Sequence, residues 1–435
     1  MTEALAASWR LAGRPGRVLA AVSGGADSMA LLCGLIELSE KEGFSLCAVH
    51  VDHGLRPESG GDAAFVAAFC RERGVQCTVR RVSCASASEN EARKARYDAF
   101  AQTYESENAD ALALAHHRRD QAETVLLHLF RGSGVEGLSG MDAVAVHVAD
   151  GRGGMRLWRP LLDVSPMDLR TYLKDRGIPW REDTTNREDA YNRNFLRLRI
   201  LPQIRERFPG AEEAVCRASK ILRQDNDCLD RMADQFLDAY VCLTPPCRFI
   251  LRQRFTALHP ALQARVLRAV FPETLTFAQT QALLAIRTGD KINLPCGWHA
   301  EASKERLYFL PRSEKKLPLE PLRVQGCMGD TGDGIRSQAM PQSGFTGDLC
   351  LRYREPGDRI RPLGAKGEKS LQDYLIDKKV DRPLRDHLPL LCRGRQVYWV
   401  IGVGPGEQMR VEADEPGMML TYTGRLPGEL IPAEK

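Results

Sequence analysis

Between Val18 and Phe130, short apolar runs alternate with stretches whose apolar residues recur every three or four positions. VLAAV, FSLCAVHVDH, CTVRRVS and ADALALAHH have the length and composition of strands. SMALLCGLIEL, DAAFVAAFCRERG, EARKARYDAFAQTY and QAETVLLHLFRG have helical spacing, the second ending at a glycine. Strands alternating with helices predict a parallel sheet covered on both faces. The expected fold class is α/β: a doubly wound, Rossmann-like N-terminal domain, then a helical domain and a small α+β C-terminal domain. From about 209 to 290 the apolar spacing is helical, with no strand between the helices. Residues 311 to 349 are rich in Gly, Pro and Ser and read as a linker or long loop. The expected boundaries are 1–207, 208–320, a linker over 321–349, and 350–435.

Composition narrows the class. The 435 residues are 43% hydrophobic and 27% charged, as in ordinary globular chains. No apolar run approaches the ~20 residues of a membrane span, and the N-terminus lacks the pattern of a signal peptide. The 13 cysteines are odd in number and none has CxxC spacing. A reducing cytoplasm is expected rather than a disulfide framework, and no Cys/His metal cluster is expected. The net charge of +4 says little about partners, but its distribution says more. Twelve Lys/Arg face seven Asp/Glu between 350 and 395, and five arginines crowd between Arg193 and Arg207. Such density fits either nucleic-acid contact or solvated helix faces.

In open α/β sheets, ligands bind beyond the carboxyl ends of the strands. Three polar segments fall there: SGGADS, DHGLR and HHRRDQAET. In the first, Gly24 and Gly25 let the chain turn and let a phosphate approach. Ser23 and Ser28 offer hydroxyls, and the backbone N–H groups of a helix start complete an anion site with Ala26. The lysine of GxxxxGK[ST] and the GxGxxG spacing are both absent. Asp27 beside bound phosphates makes chemical sense with Mg²⁺ between them. Asp52 and His53 end the second strand, where they fit a ribose or base contact as well as a plain turn. Asp120 and Glu123 share a helix face, and D-x-x-E equally fits a helix cap. With His116, they could also hold a magnesium ion and a departing pyrophosphate. Lys94 and Arg96 fit a phosphate clamp or an exposed basic face. Asp183, Thr184, Asn186, Asn192, Arg193, Asn194 and Arg197 form a dense polar run entering a helix.

SGGADS after a strand resembles the loop of the N-type ATP pyrophosphatases, the PP-loop superfamily. VSGGADSMALL, VDHGLRPES, EARKARYDAF, LAHHRRDQAET, LFRGSGVEGLSGM, RPLLDVS and the DTTN and NRNFLR segments follow in order over nearly all of 17–202. Together they resemble the bacterial tRNA(Ile)-lysidine synthetase family. LRYREPGDRIRPLG and KSLQDYLIDKKVDRPLRDHLPLL look like that family's last domain. The resemblance implies a ligase that adenylates the C2 oxygen of the wobble cytidine in CAU-anticodon isoleucine tRNA. Pyrophosphate leaves, and the ε-amine of free L-lysine then displaces AMP. It implies ATP and Mg²⁺ as cofactors, with Ser23 to Ser28 on ATP and Asp27 holding Mg²⁺ with Asp120. Arg96, His116, Glu123 and Arg197 match family positions near the reacting groups. By charge and resemblance, Arg352, Arg354, Arg359, Arg361, Lys378 and Lys379 are candidates for gripping tRNA, with the helical middle assisting. A homodimer is compatible with the chain. The alternatives are a tRNA thiolase, which usually brings CxxC pairs, an amidotransferase-linked synthetase, which needs a glutaminase, and a catalytically inert tRNA-binding protein, which should have lost Asp27, a glycine or Ser28.

Overall fold

A computed structural model describes residues 1–52, 59–82, 89–148, 153–182, 192–243, 248–311, 318–328, 332–345, 347–412, 415–424 and 426. The chain divides into two compact units, Met1–Asp227 and Cys228–Lys435.

The first unit runs α1 (Thr2–Leu11), β1 (Arg17–Ala21), α2 (Ala26–Glu42), β2 (Ser45–Asp52), α3 (Ser59–Glu72), β3 (Gln76–Arg81), α4 (Glu89–Ser106), β4 (Ala111–Ala113), α5 (Arg118–Phe130), α6 (Val135–Leu138), β5 (Val144–Val148), β6 (Gly154–Trp158), α7 (Pro166–Asp175), α8 (Asn192–Phe195) and α9 (Leu201–Arg207). Helix α10 (Ala211–Tyr240) follows and continues past the unit boundary. The sheet order is β3-β2-β1-β4-β6-β5, and only β5–β6 is antiparallel. β1 reads as an unbroken apolar run because both its faces are covered. Val18 and Ala20 join the core under α1, α2, α3 and α7, whereas Leu19 joins the opposite core under α4. β4 repeats the pattern: Ala111 and Ala113 face one core and Leu112 the other. α1 packs closely on α2 at Gly34, where a Cβ would lie 2.3 Å from Leu5 Cδ1. The alternating reading of the sequence is thus realised, with the antiparallel edge hairpin β5–β6 added.

The second unit departs further from expectation. Beyond α10 the chain forms β7 (Val241–Cys242), β8 (Arg248–Leu251), α11 (Arg252–Thr256), α12 (Pro260–Val270), α13 (Phe277–Leu284), β9 (Lys291–Asn293), β10 (Trp298–Ala302) and β11 (Arg306–Pro311). These strands make an antiparallel sheet in the order β7-β8-β11-β10-β9. Residues 209–290 are therefore not purely helical. The strands are too short to stand out from the helical spacing around them. Ile250, Leu307 and Phe309 face the helices, and Phe249 and Tyr308 face Leu384 on the other side.

The expected linker is also structured. β12 (Leu322–Met328) and β13 (Ser337–Pro341) both pair with the last strand in a three-stranded sheet. Their partner lies far along the chain, so no local pattern announces them. The remaining elements are β14 (Cys350–Arg352), β15 (Arg359–Ile360), β16 (Lys369–Ser370), α14 (Leu371–Asp377), β17 (Leu390–Arg393), β18 (Gln396–Val400), β19 (Gly404–Pro405) and β20 (Pro416–Tyr422). β14 to β19 form a six-stranded sheet, and β20 is the shared partner of β12 and β13. Among the described residues no helix is long and apolar enough to cross a membrane.

Within this unit the Arg352 guanidinium is engaged inside the module. Its guanidinium donates to both Asp358 carboxylate oxygens, at 2.9 and 2.7 Å, and to the carbonyls of Tyr353 and Gly394. The Asp358 side chain is only 1% exposed, so the pair braces the turn between β14 and β15. Arg354 pairs with Asp386, while Arg359, Lys378 and Lys379 are exposed. Removing one member of a buried ion pair leaves an uncompensated charge. Arg352→Ala is expected to destabilise the fold by about 3–5 kcal/mol in chemical denaturation. Arg359→Ala should leave the unfolding midpoint within about 0.5 kcal/mol of wild type.

Candidate functional site

The glycine loop is built by one hydroxyl. Ser28 Oγ, in the first turn of α2, accepts from the backbone N–H of Ser23 at 3.1 Å and of Gly24 at 3.2 Å. It donates back to the Gly25 carbonyl at 2.9 Å. Gly24 has φ +92°, and a Cβ there would sit 3.3 Å from Val66 Cγ2. Only glycine takes both the turn and the close approach without strain. The Gly24 carbonyl accepts from Arg181 N–H at 2.9 Å, so the chain after α7 is pinned to the loop. With the loop so bent, the first N–H groups of α2, which lack intrahelical acceptors, open at the carboxyl end of β1.

Asp27 stands in this first turn with its side chain 42% exposed. His117 faces it: Nε2 lies 3.5 Å from Asp27 Oδ2. His117 is also the N-cap of α5. Its Nδ1 accepts from Asp120 N–H at 3.3 Å, and its own N–H donates to Asp120 Oδ2 at 3.0 Å. An accepting Nδ1 leaves the imidazole proton on Nε2, aimed at Asp27. Burial pulls this imidazole toward neutrality, but the Asp27 contact and the Asp120 charge outweigh burial, and its pKa ends above the ordinary value. The cap therefore belongs to His117, with Asp120 at its third position, and not to Asp120 as D-x-x-E spacing suggests.

Glu123, one turn further along α5, is 0% exposed. Its carboxylate accepts from Arg193 Nε at 2.8 Å, Arg197 Nε at 2.6 Å and Arg197 Nη2 at 2.8 Å. Asp120 Oδ1 accepts from the same two arginines, at 3.1 and 2.9 Å. Burial would push the Asp120 carboxyl up, yet His117, Arg193 and Arg197 hold it below the usual range. Arg193 and Arg197 are four residues apart and so share one helix face. Arg197 lies in a π-helical turn, Leu196–Ile200, a form concentrated at functional sites. Asp27, His117, Asp120, Glu123, Arg193 and Arg197 thus form one connected cluster beside the glycine loop.

The other expected residues lie around it. Asp52 is buried at the end of β2, 3.8 Å from Arg81 Nε. His53, Asp183, Thr184 and Asn186 fall outside the described residues. Arg96 and Lys94 are exposed on α4. His116 follows β4, and its Nδ1 is buried without a hydrogen-bond partner. Burial lowers its pKa to about 4, with the charges of Arg159, Arg193 and Arg93 adding to the effect against Asp120. Gln121 clamps the loop after α6, donating to the Met141 carbonyl at 3.1 Å and accepting its N–H at 2.8 Å. Sequence reading missed His117, and it counted Arg193 only as part of a polar run. The signal for His117 was present in H-R-R-D, where histidine precedes an acid at the capping distance.

The fit of a divalent cation can be judged from the carboxylates. Asp27 is partly open to solvent, whereas both Asp120 oxygens are engaged by arginines or the His117 N–H. Among the described residues no group of three His, Cys, Asp or Glu side chains could hold a metal. One carboxylate with substrate phosphates and waters is an ordinary Mg²⁺ environment, so Asp27 fits that role.

Residues 5–204 match the family model described as PP-loop domain, and 349–422 match the TilS substrate C-terminal domain. The chain is 30% identical to a tRNA(Ile)-lysidine synthase of Dehalococcoides mccartyi, covering 91% of this chain and 92% of the relative. It is 33% identical to that of Symbiobacterium thermophilum, over 91% and 92%. The corresponding protein of Geobacter sulfurreducens is 32% identical over 93% of each chain.

His116 carries a pH expectation. Its folded-state pKa is depressed to about 4, so the folded chain resists the proton that the unfolded chain accepts near 6.5. The stability this contributes is fully present above pH ~6.5 and is lost as pH falls toward 4. Urea unfolding should show a decline of up to about 3 kcal/mol across that window. His116→Gln should flatten the decline; an unchanged slope would contradict the assignment.

Proposed function

The chain belongs to the tRNA(Ile)-lysidine synthase family, and we propose that the glycine loop and its ion-pair cluster carry out the ATP chemistry of that reaction. The protein is an ATP-using, tRNA-modifying ligase. The thiolase and inert-binder readings are not favoured. The substrate is isoleucine tRNA. The finer reading is its CAU-anticodon form, with free L-lysine as the amine donor.

The reaction has two halves. The O2 atom of the wobble cytidine attacks the α-phosphorus of ATP, the bond to the bridging oxygen breaks, and pyrophosphate leaves. The ε-nitrogen of lysine then attacks C2 and sheds a proton, the C2–O bond breaks, and AMP leaves with that oxygen. A carbonyl oxygen is a poor leaving group until it carries the adenylyl group.

One observation supports this placement above all: two guanidinium groups and three carboxylates converge beside a loop shaped to receive phosphates. The loop from Ser23 to Ser28 binds the ATP phosphates through the backbone N–H groups that open α2 at Ala26 to Ser28 and through the Ser23 hydroxyl. Arg193 and Arg197, parked on Asp120 and Glu123, are positioned to share their donors with the pyrophosphate as charge builds on it. Their fork geometry suits phosphate oxygens as well as carboxylates. His117 orients Asp27 through its Nε2–H. A magnesium ion, held by Asp27 with Asp120 as a second ligand when an arginine yields, would neutralise phosphate charge. Asp52 and His53 are proposed for the nucleoside end of ATP, and His116 and Arg96 for the reacting groups. Arg354, Arg359, Arg361, Lys378 and Lys379 are proposed to grip the tRNA through its phosphates.

The test uses the full chain with Mg²⁺-ATP, lysine and a CAU-anticodon isoleucine tRNA transcript. Mass spectrometry of the digested RNA should show a cytidine that has gained lysine less water, with AMP and pyrophosphate released in equal amounts. Asp27→Asn should abolish pyrophosphate release, a loss of at least about 10³-fold, while tRNA binding stays within about threefold of wild type. Pyrophosphate release retained by that variant would refute the role given to Asp27.

A further inference from the structure

The strands β4 and β6 lie side by side, with Leu112 opposite Leu157 and Ala113 opposite Trp158. They leave the sheet together: the Leu114 N–H donates to the Trp158 carbonyl at 2.8 Å. His116 follows one strand and Arg159 the other. Both therefore stand on the rim where α/β sheets receive ligands.

Arg159 is poorly compensated for a half-buried cation. Its Nη1 donates to the Asp142 carbonyl at 2.7 Å, while its Nε is buried without a hydrogen-bond partner. Among the described residues no carboxylate lies within ion-pair distance of it. The Asp142 carboxylate is instead engaged 3.0 Å from Arg223 Nε. Burial pulls the Arg159 guanidinium below its ordinary pKa; Tyr97 and Asp142 oppose this, and Arg93 and Arg223 add to it. Arg159, Arg193 and Arg93 act in turn on His116, whose buried Nδ1 is also unpaired. Asp120 also acts on His116, Arg193 is already paired with Asp120 and Glu123, and Arg93 is exposed. Arg159 is the half-buried cation of this group that has no carboxylate of its own among the described residues, and a buried cation without a partner is costly. Perturbed groups of this kind cluster where a ligand completes the charge balance. The missing component is an anion.

We propose that Arg159 is a phosphate-binding residue, its guanidinium receiving a phosphate group on the rim beside His116. This rests on the reading that the adjacent glycine loop binds ATP. Two phosphates could arrive there: the α-phosphate of ATP, or a backbone phosphate of the tRNA nucleotide being modified. Both offer the same anionic oxygens to a forked donor.

The experiment compares Arg159→Gln and Arg159→Lys with wild type in the full chain, with melting temperature as the folding control. Binding of a non-hydrolysable ATP analogue is measured without tRNA, and binding of the tRNA transcript without ATP. A fall of at least about 10-fold in analogue affinity, with tRNA affinity unchanged, assigns the ATP phosphate. The reverse pattern assigns the tRNA phosphate. Arg159→Lys keeps the cation but not the forked donors, and should show a smaller loss of the same kind. It serves as the test if Arg159→Gln fails to fold. Both affinities within about threefold of wild type in a folded variant would overturn the proposal, whatever happens to turnover. Asp27→Asn is assayed in parallel. Full pyrophosphate release by that variant would mean that the ATP-site reading had failed, separately from Arg159.

Discussion

Glu123 is a carboxylate with no access to solvent, and the rest of the site is arranged around that fact. A buried carboxylate must be paired and hydrogen-bonded or it will not stay ionised. Arg193 and Arg197 meet the requirement with three donors to Glu123 and two more to Asp120. Those five bonds fasten α5, which leaves the sheet after β4, to the segment that resumes at Asn192. They also bring cationic forks beside the glycine loop. The side chains that satisfy Glu123 are thus the same ones proposed to receive the pyrophosphate.

A second set of ion pairs backs the first. Glu212 at the start of α10 lies 3.3 Å from Arg119 Nε and 2.8 Å from Arg205 Nε. Arg119 neighbours Asp120 on α5, and Arg205 lies on α9, the helix that continues from Arg197. Glu213 reaches Arg118 at 2.6 Å. α10 therefore holds the two helices that supply the cluster. Arg193 and Arg197, four residues apart on one helix face, both meet the carboxylates of α5, and the π-helical turn Leu196–Ile200 joins α8 to α9 at that point.

Much of the first unit was legible in the residues. Alternating runs specified the parallel sheet because its central strands β1 and β4 are apolar on both faces and helices follow the strands directly. SGGADS announced an anion loop because two glycines, two hydroxyls and an acid between strand and helix have few other uses. Asp27, Asp120, Glu123 and Arg197, each a candidate from the sequence, lie together in one cluster although up to 170 residues separate them. His117 was overlooked because a histidine cap competes with the more familiar aspartate. The second unit was harder. β12 and β13 pair with β20 across long sequence intervals, and β7 and β8, of two and four residues, are lost between the helices around them. Charge density does not show that the Arg352 side chain answers a buried acid within the same module.

The most direct test of the site is a double-mutant cycle on Glu123→Gln and Arg197→Gln, reading the rate of pyrophosphate release and the free energy of unfolding together. The two residues are held to act as one unit, so the double variant should lose little more than the worse single variant. The coupling should be at least about 2 kcal/mol in both readouts. Losses that add to within about 0.5 kcal/mol would contradict it, and Glu123 and Arg197 would then be independent neighbours.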